Sequence, residues 1–136
     1  MPRPRVIGLD TNVLVRYLAQ DDAVQSARAT DLIETRLTRD DPGFISVVAM
    51  VEMVWVLDRA YRLSDREIAA VVERLLQADT FVLENEQQVF TAAIAVKERR
   101  GSFAGALIGA LGSKAGCSHT VTFDRGASRL GNFVPI

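Results

Sequence analysis

Cysteine and histidine are almost absent from this sequence. Its 136 residues include one cysteine, Cys117, and one histidine, His119. A single cysteine excludes an internal disulfide framework and a multi-cysteine metal site, which favours a reducing compartment. A single histidine excludes a zinc-type site and a nucleophile–histidine–acid triad. We interpret Cys117 as a small buried residue and His119, at the start of a predicted strand, as structural.

The chain also lacks a strong net charge and a long apolar run. Its formal net charge is -1 and its pI is about 5.8. Broad attraction to nucleic acid is therefore not expected, although a local basic rim can still hold a phosphate backbone. No apolar run approaches the roughly 18 residues that span a bilayer, and the basic first five residues do not open a signal peptide. We expect a cytoplasmic protein with no membrane partner.

Hydrophobic residues are plentiful and their order indicates the fold class. They make up 49% of the sequence, enough for a core in one domain over residues 1–136. Short apolar runs near 6–9, 44–46, 81–83 and 118–123 predict strands, and 130–136 adds a short edge strand. Helices between these runs predict a three-layer α/β/α fold with a central parallel sheet of four to five strands.

Helix-start signals are local and specific in this chain. Ser64 and Glu67 form a capping-box pattern, and Ser46 and Ser102 each precede an apolar helix. The helix after Ser102 contains several glycines, which weaken it unless they permit close packing against a neighbour. A phosphate-loop function for these glycines is excluded, because they lie on the helix and not before it.

Asp10 stands where the first predicted strand turns into a helix. Ligands of open parallel sheets collect outside the carboxyl ends of the strands, which places Asp10 at the edge where such sheets carry out chemistry. Thr11 and Asn12 then open the helix. The alternative is that Asp10 is simply a helix N-cap, a role that aspartate often fills.

Two further acids strengthen the functional interpretation of Asp10. Asp124 ends a later predicted strand, and Glu52 is the one charge in the apolar stretch 47–57. A buried carboxylate needs a cation, a metal or a raised pKa, unless Glu52 lies on a narrow exposed stripe. Two strand-end acids and a helical acid favour a metal pocket over three unrelated caps.

Together these motifs resemble the PIN domain, and more narrowly the bacterial VapC type of ribonuclease toxin. The resemblance rests on Asp10-Thr11-Asn12, Glu52, the helix 103–108 and Thr122-Phe123-Asp124, and it covers essentially the whole chain. It implies a Mg²⁺- or Mn²⁺-dependent endoribonuclease. It also implies a homodimer and a small antitoxin partner of the VapB type.

One acidic position of the family is missing. Asp10, Glu52 and Asp124 match three of the four family acids, whereas the position of the family's further metal ligand holds Gly105. Ser102 stands where the family usually has another aspartate, and it is better explained as the helix cap. The resemblance therefore implies either an attenuated nuclease or a degenerate one that keeps the fold and the antitoxin groove.

The expected roles follow from the chemistry of phosphodiester hydrolysis. A hard divalent cation requires oxygen ligands, here Asp10 and Asp124, with Glu52 as a ligand through water or as the base. We expect three further residues to orient these ligands without contacting the metal themselves. They are Thr11, Asn12 and Ser102. Arginines near the pocket would contact RNA phosphates. The candidates are Arg16, Arg99, Arg100, Arg125 and Arg129.

Other protein classes fit the sequence less well. An aspartyl-nucleophile phosphatase needs an acid two residues after Asp10, where Asn12 stands. A phospho-acceptor receiver domain needs an acidic pair near the first strand and a late lysine, but Lys114 falls within a predicted helix. A binding module without catalysis explains Gly105 better than either of these classes and remains the alternative.

Overall fold

Short parallel strands alternate with helices along the chain. The computed structural model describes residues 5–136. Within this range the strands are β1 (Ile7–Gly8), β2 (Gly43–Ile45), β3 (Phe81–Leu83), β4 (Thr120–Thr122) and β5 (Phe133–Pro135). The α-helices are α1 (Thr11–Ala19), α2 (Ala23–Asp31), α3 (Val47–Arg59), α4 (Asp65–Gln77), α5 (Glu86–Lys97) and α6 (Phe103–Lys114). A π-helical turn (Leu32–Arg36) continues α2, and a 3₁₀ helix (Arg125–Leu130) precedes β5.

The strand pairing confirms the predicted α/β class with parallel strands. Strands β1, β2 and β3 form one parallel sheet in that order, and β4 pairs with β5, also in parallel. The five strands thus pair as sheets of three and two. The chain divides into two compact units, one with the described residues up to Arg62 and Arg74–Glu86, the other with Leu63–Glu73 and Gln87–Ile136. The single domain expected over 1–136 stays a prediction.

The first unit packs helices around the three-stranded sheet. Helix α1 contacts both α2 and α3. Leu14 of α1, Ile45 of β2 and Met53 of α3 are almost completely buried. These side chains provide the apolar burial that holds the strand ends and the starts of α1 and α3 in place.

Predicted helix caps are present in the structure. Ser46 Oγ accepts a hydrogen bond from Ala49 N at 3.1 Å, which starts α3 where predicted. Ser64 and Glu67 form the reciprocal capping box: Ser64 N donates to Glu67 Oε1 at 3.0 Å and Glu67 N donates to Ser64 Oγ at 3.2 Å. Both caps satisfy amide groups that have no partner within the helix.

The second unit confirms the close packing expected for the glycines of α6. A Cβ atom at Gly109 would lie 2.7 Å from Phe133 Cε2, so the ring of β5 rests directly on the helix backbone. Gly116, at φ +97°, follows the end of α6 and adopts the left-handed region that glycine favours.

The interpretation of Cys117 as a buried residue is wrong. Cys117 is exposed and lies in the loop between α6 and β4. His119, in the same loop, is also exposed, and Ser118 Oγ lies 2.9 Å from its Nδ1. Along residues 5–136, no helix has both the length and the apolar character needed to cross a membrane.

The capping box of α4 makes stability depend on pH. The hydrogen bonds from Ser64, first the backbone and then the side chain, lower the pKa of Glu67 below its usual value of 4.5. A lowered folded-state pKa stabilises the protein above the unfolded pKa, and this contribution disappears as the pH falls through the folded pKa. Glu67→Gln should therefore lose that acid-dependent part of the free energy of unfolding.

Urea unfolding at about pH 7 and about pH 3.5 would measure this difference. Glu86→Gln is the control, because Glu86 also lies in a first helical turn but has leucine three residues before it. An equal change in acid dependence for both variants would contradict a role for the capping box.

Candidate active site

Asp10 links the end of β1 to the start of α1. It is the N-cap of α1, and its Oδ1 accepts a hydrogen bond from Thr11 N at 2.9 Å. The residue is exposed, and its Oδ2 makes no hydrogen bond to any residue in the described part of the chain. Asp10 is therefore a helix cap that keeps one carboxylate oxygen available at the edge of the sheet.

A second acid, Glu84, lies at the same edge and was not predicted. Gly8 pairs with Phe44, and Ile45 pairs with Leu83. When this register is continued past the strand ends, Asp10 after β1 and Glu84 after β3 lie at the same height along the sheet. Strands lie about 4.8 Å apart, which separates these two backbones by about 10 Å. Glu84 Oε1 accepts a hydrogen bond from Val47 N at 2.8 Å. An acid directly after a predicted strand, as at Asp10, was the available signal.

Glu52 is exposed, so the expectation that it is buried among apolar residues is wrong. Val48 and Trp55 lie on the same face of α3 and are 67% and 61% exposed. Arg59 continues this face, with its guanidinium carbon 6.0 Å from the centroid of the Trp55 ring. Because α3 presents apolar side chains to solvent as well, hydrophobicity alone does not mark its buried face. Glu52 therefore needs no compensating partner.

Thr11 and Asn12 differ in their surroundings. Thr11 is buried, and its backbone amide fixes the Asp10 carboxylate. Asn12 is exposed in the first turn of α1. Thr11 is thus placed to orient Asp10, whereas Asn12 faces solvent.

The start of α6 lies in the second unit and carries no acid. Ser102 is the N-cap of α6, and its Oγ accepts a hydrogen bond from Gly105 N at 3.0 Å, which confirms its interpretation as a cap. A Cβ atom at Gly105 would lie 3.0 Å from Ser102 Oγ and 3.5 Å from Leu130 Cδ1. There is room for a side chain at this position if the serine hydroxyl shifts by a few tenths of an ångström.

In the second unit, Asp124 both follows a strand and caps the next helical segment, as Asp10 does in the first unit. It follows β4 and caps the 3₁₀ helix, with Oδ1 accepting a hydrogen bond from Gly126 N at 2.8 Å. Its own amide donates to Thr122 Oγ1 at 3.0 Å. The residue is exposed, and its Oδ2 makes no hydrogen bond within residues 5–136.

The candidate phosphate-binding arginines fall into two groups. Arg16 and Arg100 are half-buried and paired, Arg16 with Gln25 and Asp21, and Arg100 with Glu98 at 2.9 Å. The other candidates are exposed. They are Arg99, Arg125 and Arg129.

The donor chemistry suits a hard divalent cation, although the acid set is incomplete. Asp10 and Asp124 each offer an available carboxylate oxygen, the ligand type that Mg²⁺ and Mn²⁺ prefer. Gly105 offers none. Among the residues that the structure describes, no group of three or more histidine, cysteine, aspartate or glutamate side chains is arranged to hold a metal ion.

Comparison with known proteins agrees with the motifs and the fold. The family model described as "PIN domain" matches residues 7–132. A "VapC ribonuclease" of Aquifex aeolicus (strain VF5) is 26% identical over 124 residues, which cover 90% of this chain and 90% of that protein. Because the family match runs from β1 to the residue before β5, the chain belongs to the PIN domain family.

Proposed function

We propose that this protein is a divalent-metal-dependent endoribonuclease of the VapC type, attenuated by the absence of an acid at Gly105. The main support is the position of Asp10, which caps α1 at the edge of a parallel sheet and keeps Oδ2 available. The similarity to a VapC ribonuclease over 90% of the chain supports RNA as the substrate.

The proposed mechanism gives each of the three acids a role toward a divalent cation. Asp10 and Asp124 would hold Mg²⁺ or Mn²⁺ through their available oxygens, with Glu52 as a ligand through water or as the base. When bound, the cation supplies the charge that activates water and offsets negative charge developing on the phosphate. The amides of Thr11 and Gly126 hold the two aspartates in one orientation, so little reorganisation is needed.

The arginines would hold the RNA backbone. Arg16 and Arg100 are oriented by their protein partners, and the exposed arginines can move to meet successive phosphates. They are Arg99, Arg125 and Arg129. RNA binding should weaken as salt is added, because each phosphate contact releases counterions.

Gly105 also supports a second candidate function. A PIN-domain protein without the full acid set can bind RNA or an antitoxin of the VapB type without cleaving. In either version we propose a homodimer in the cytoplasm, as the resemblance implies. Calorimetry with Mn²⁺ separates the versions, because a binding module with no metal site gives no heat of binding.

Asp10→Asn and Asp124→Asn should abolish cleavage without unfolding the protein. Asparagine caps helices about as well as aspartate, so the free energy of unfolding should change by less than about 0.5 kcal/mol. Loss of the negative ligand charge should reduce RNA cleavage with Mn²⁺ by about a hundredfold or more. Asp22→Asn, at the cap of α2, is the matched control. Cleavage unchanged in both test variants would contradict the proposed metal ligands.

Gly105→Asp should restore part of the missing site. An added carboxylate should tighten Mn²⁺ binding and raise cleavage, each by about tenfold, because affinity follows ligand charge. Gly105→Asn is the control, since it carries the same Cβ atom beside Ser102 Oγ but no charge. No gain in Gly105→Asp over Gly105→Asn in calorimetry and cleavage would show that the missing-ligand explanation is wrong.

A further inference from the structure

A groove lies between α1 and α2 in the first unit, and its lining begins at Asn12, two residues after Asp10. Its volume is about 320 Å³, within the range of about 300 to 1,000 Å³ typical of ligand pockets. It is lined by apolar, amide and guanidinium side chains. The lining residues are Asn12, Val13, Arg16, Gln25, Arg28, Ala29 and Leu32.

The two walls of the groove are joined by side-chain hydrogen bonds. Ser26 of α2 is buried, and its Oγ donates to Arg16 O of α1 at 2.8 Å. Gln20, just after α1, donates from Nε2 to Thr30 Oγ1 of α2 at 3.0 Å. These bonds fix the spacing of the helices, so the groove is formed before any ligand arrives.

Arg16 is held in one orientation at the wall of this groove. Its Nε donates to Gln25 Oε1 at 2.8 Å and its Nη1 donates to Asp21 Oδ1 at 3.1 Å. Tyr61 donates its hydroxyl to Asp21 Oδ2 at 2.6 Å, which lowers the pKa of Asp21 and keeps this carboxylate ionised. A guanidinium fixed in this way loses little entropy on binding a phosphate.

Arg28 supplies the positive charge that the groove does not neutralise. It is exposed, and it makes no ion pair with any residue in 5–136. Among the described residues that line the groove, none is acidic. The charge of Arg16 is offset by Asp21, whereas that of Arg28 remains to attract an anion.

We propose that this groove binds one nucleotide of a single-stranded RNA next to Asp10. The apolar residues Val13, Ala29 and Leu32 form a floor for a base. The amides of Asn12 and Gln25 can hydrogen-bond a base edge, and the arginines can hold the flanking phosphates. An acidic peptide would use the same cations, amides and floor, but RNA is favoured because Asn12 of the lining lies two residues after the candidate catalytic Asp10.

The proposal rests on the proposed ribonuclease function for the identity of the ligand. Asn12 lies two residues after Asp10, so a nucleotide in the groove would bring its neighbouring phosphodiester toward the candidate catalytic carboxylate. The groove would thereby position the substrate strand for cleavage.

The test measures RNA binding separately from cleavage. A short fluorescein-labelled oligouridylate is titrated with the full chain in EDTA, where metal-dependent cleavage does not occur. Arg28→Ala should raise Kd about three- to tenfold and reduce the slope of log Kd against log salt by about 0.7, the value for one phosphate of a single strand. Arg28→Gln should behave in the same way.

Arg39→Ala is the matched control, because Arg39 is an equally charged, exposed residue of the same unit outside the groove. If Arg28→Ala and Arg39→Ala lose equal affinity for oligouridylate, the loss reflects only the change in net charge, and the proposal is overturned. An oligomer of abasic ribose phosphate should bind more weakly than oligouridylate, and equal binding would overturn the role of the floor.

A protein ligand is distinguished in the same assay. A short synthetic peptide of leucine and glutamate is titrated in parallel. In one outcome, Arg28→Ala abolishes peptide binding and leaves oligouridylate binding unchanged. This outcome would assign the groove to a protein partner and overturn the proposal. Absence of cleavage with Mn²⁺ in a protein that still binds oligouridylate through Arg28 would contradict the ribonuclease function alone.

Discussion

The amide groups at the start of a helix require oxygen acceptors, and this requirement determines which side chains lie at the candidate active site. Asp10 and Asp124 follow strands and accept hydrogen bonds from the first amides of the next helical segment. Ser46 and Ser102 do the same for α3 and α6. Ligands of parallel sheets bind at strand ends. A side chain that caps a helix at a strand end therefore also lies where a ligand would bind.

Features that depend on neighbours in sequence were predicted well. A cap bond joins residues at most three positions apart, so Ser46, Ser64 and Ser102 could be identified from residue type and spacing alone. Helix α3 begins directly after Ser46, as its capping signal predicted. The parallel α/β class followed from the alternation of apolar runs.

Features that depend on distant partners were not predictable from one sequence. The apolar pattern of α3 does not show which face is buried, and Glu52 was therefore expected inside although it is exposed. The bond between Tyr61 and Asp21 joins residues 40 positions apart, and no local pattern indicates it. The position of Glu84 after a predicted strand was visible in the sequence, but its role as an acceptor for Val47 N appears only when β2 and β3 are paired.

The capping role of Asp10 and Asp124 bears on how a PIN domain could lose its activity. An oxygen-bearing side chain at positions 10 and 124 stabilises the start of the helix that follows, whether or not RNA is cut. The side chain at position 105 is not needed as a cap, because Ser102 caps α6. Replacing an acid at position 105 would therefore cost less helix stability than removing the oxygen-bearing side chain at position 10 or 124. The presence of Asp10 and Asp124 is thus explained by the hydrogen bonds that they accept at the two helix starts, even without a role in cleavage.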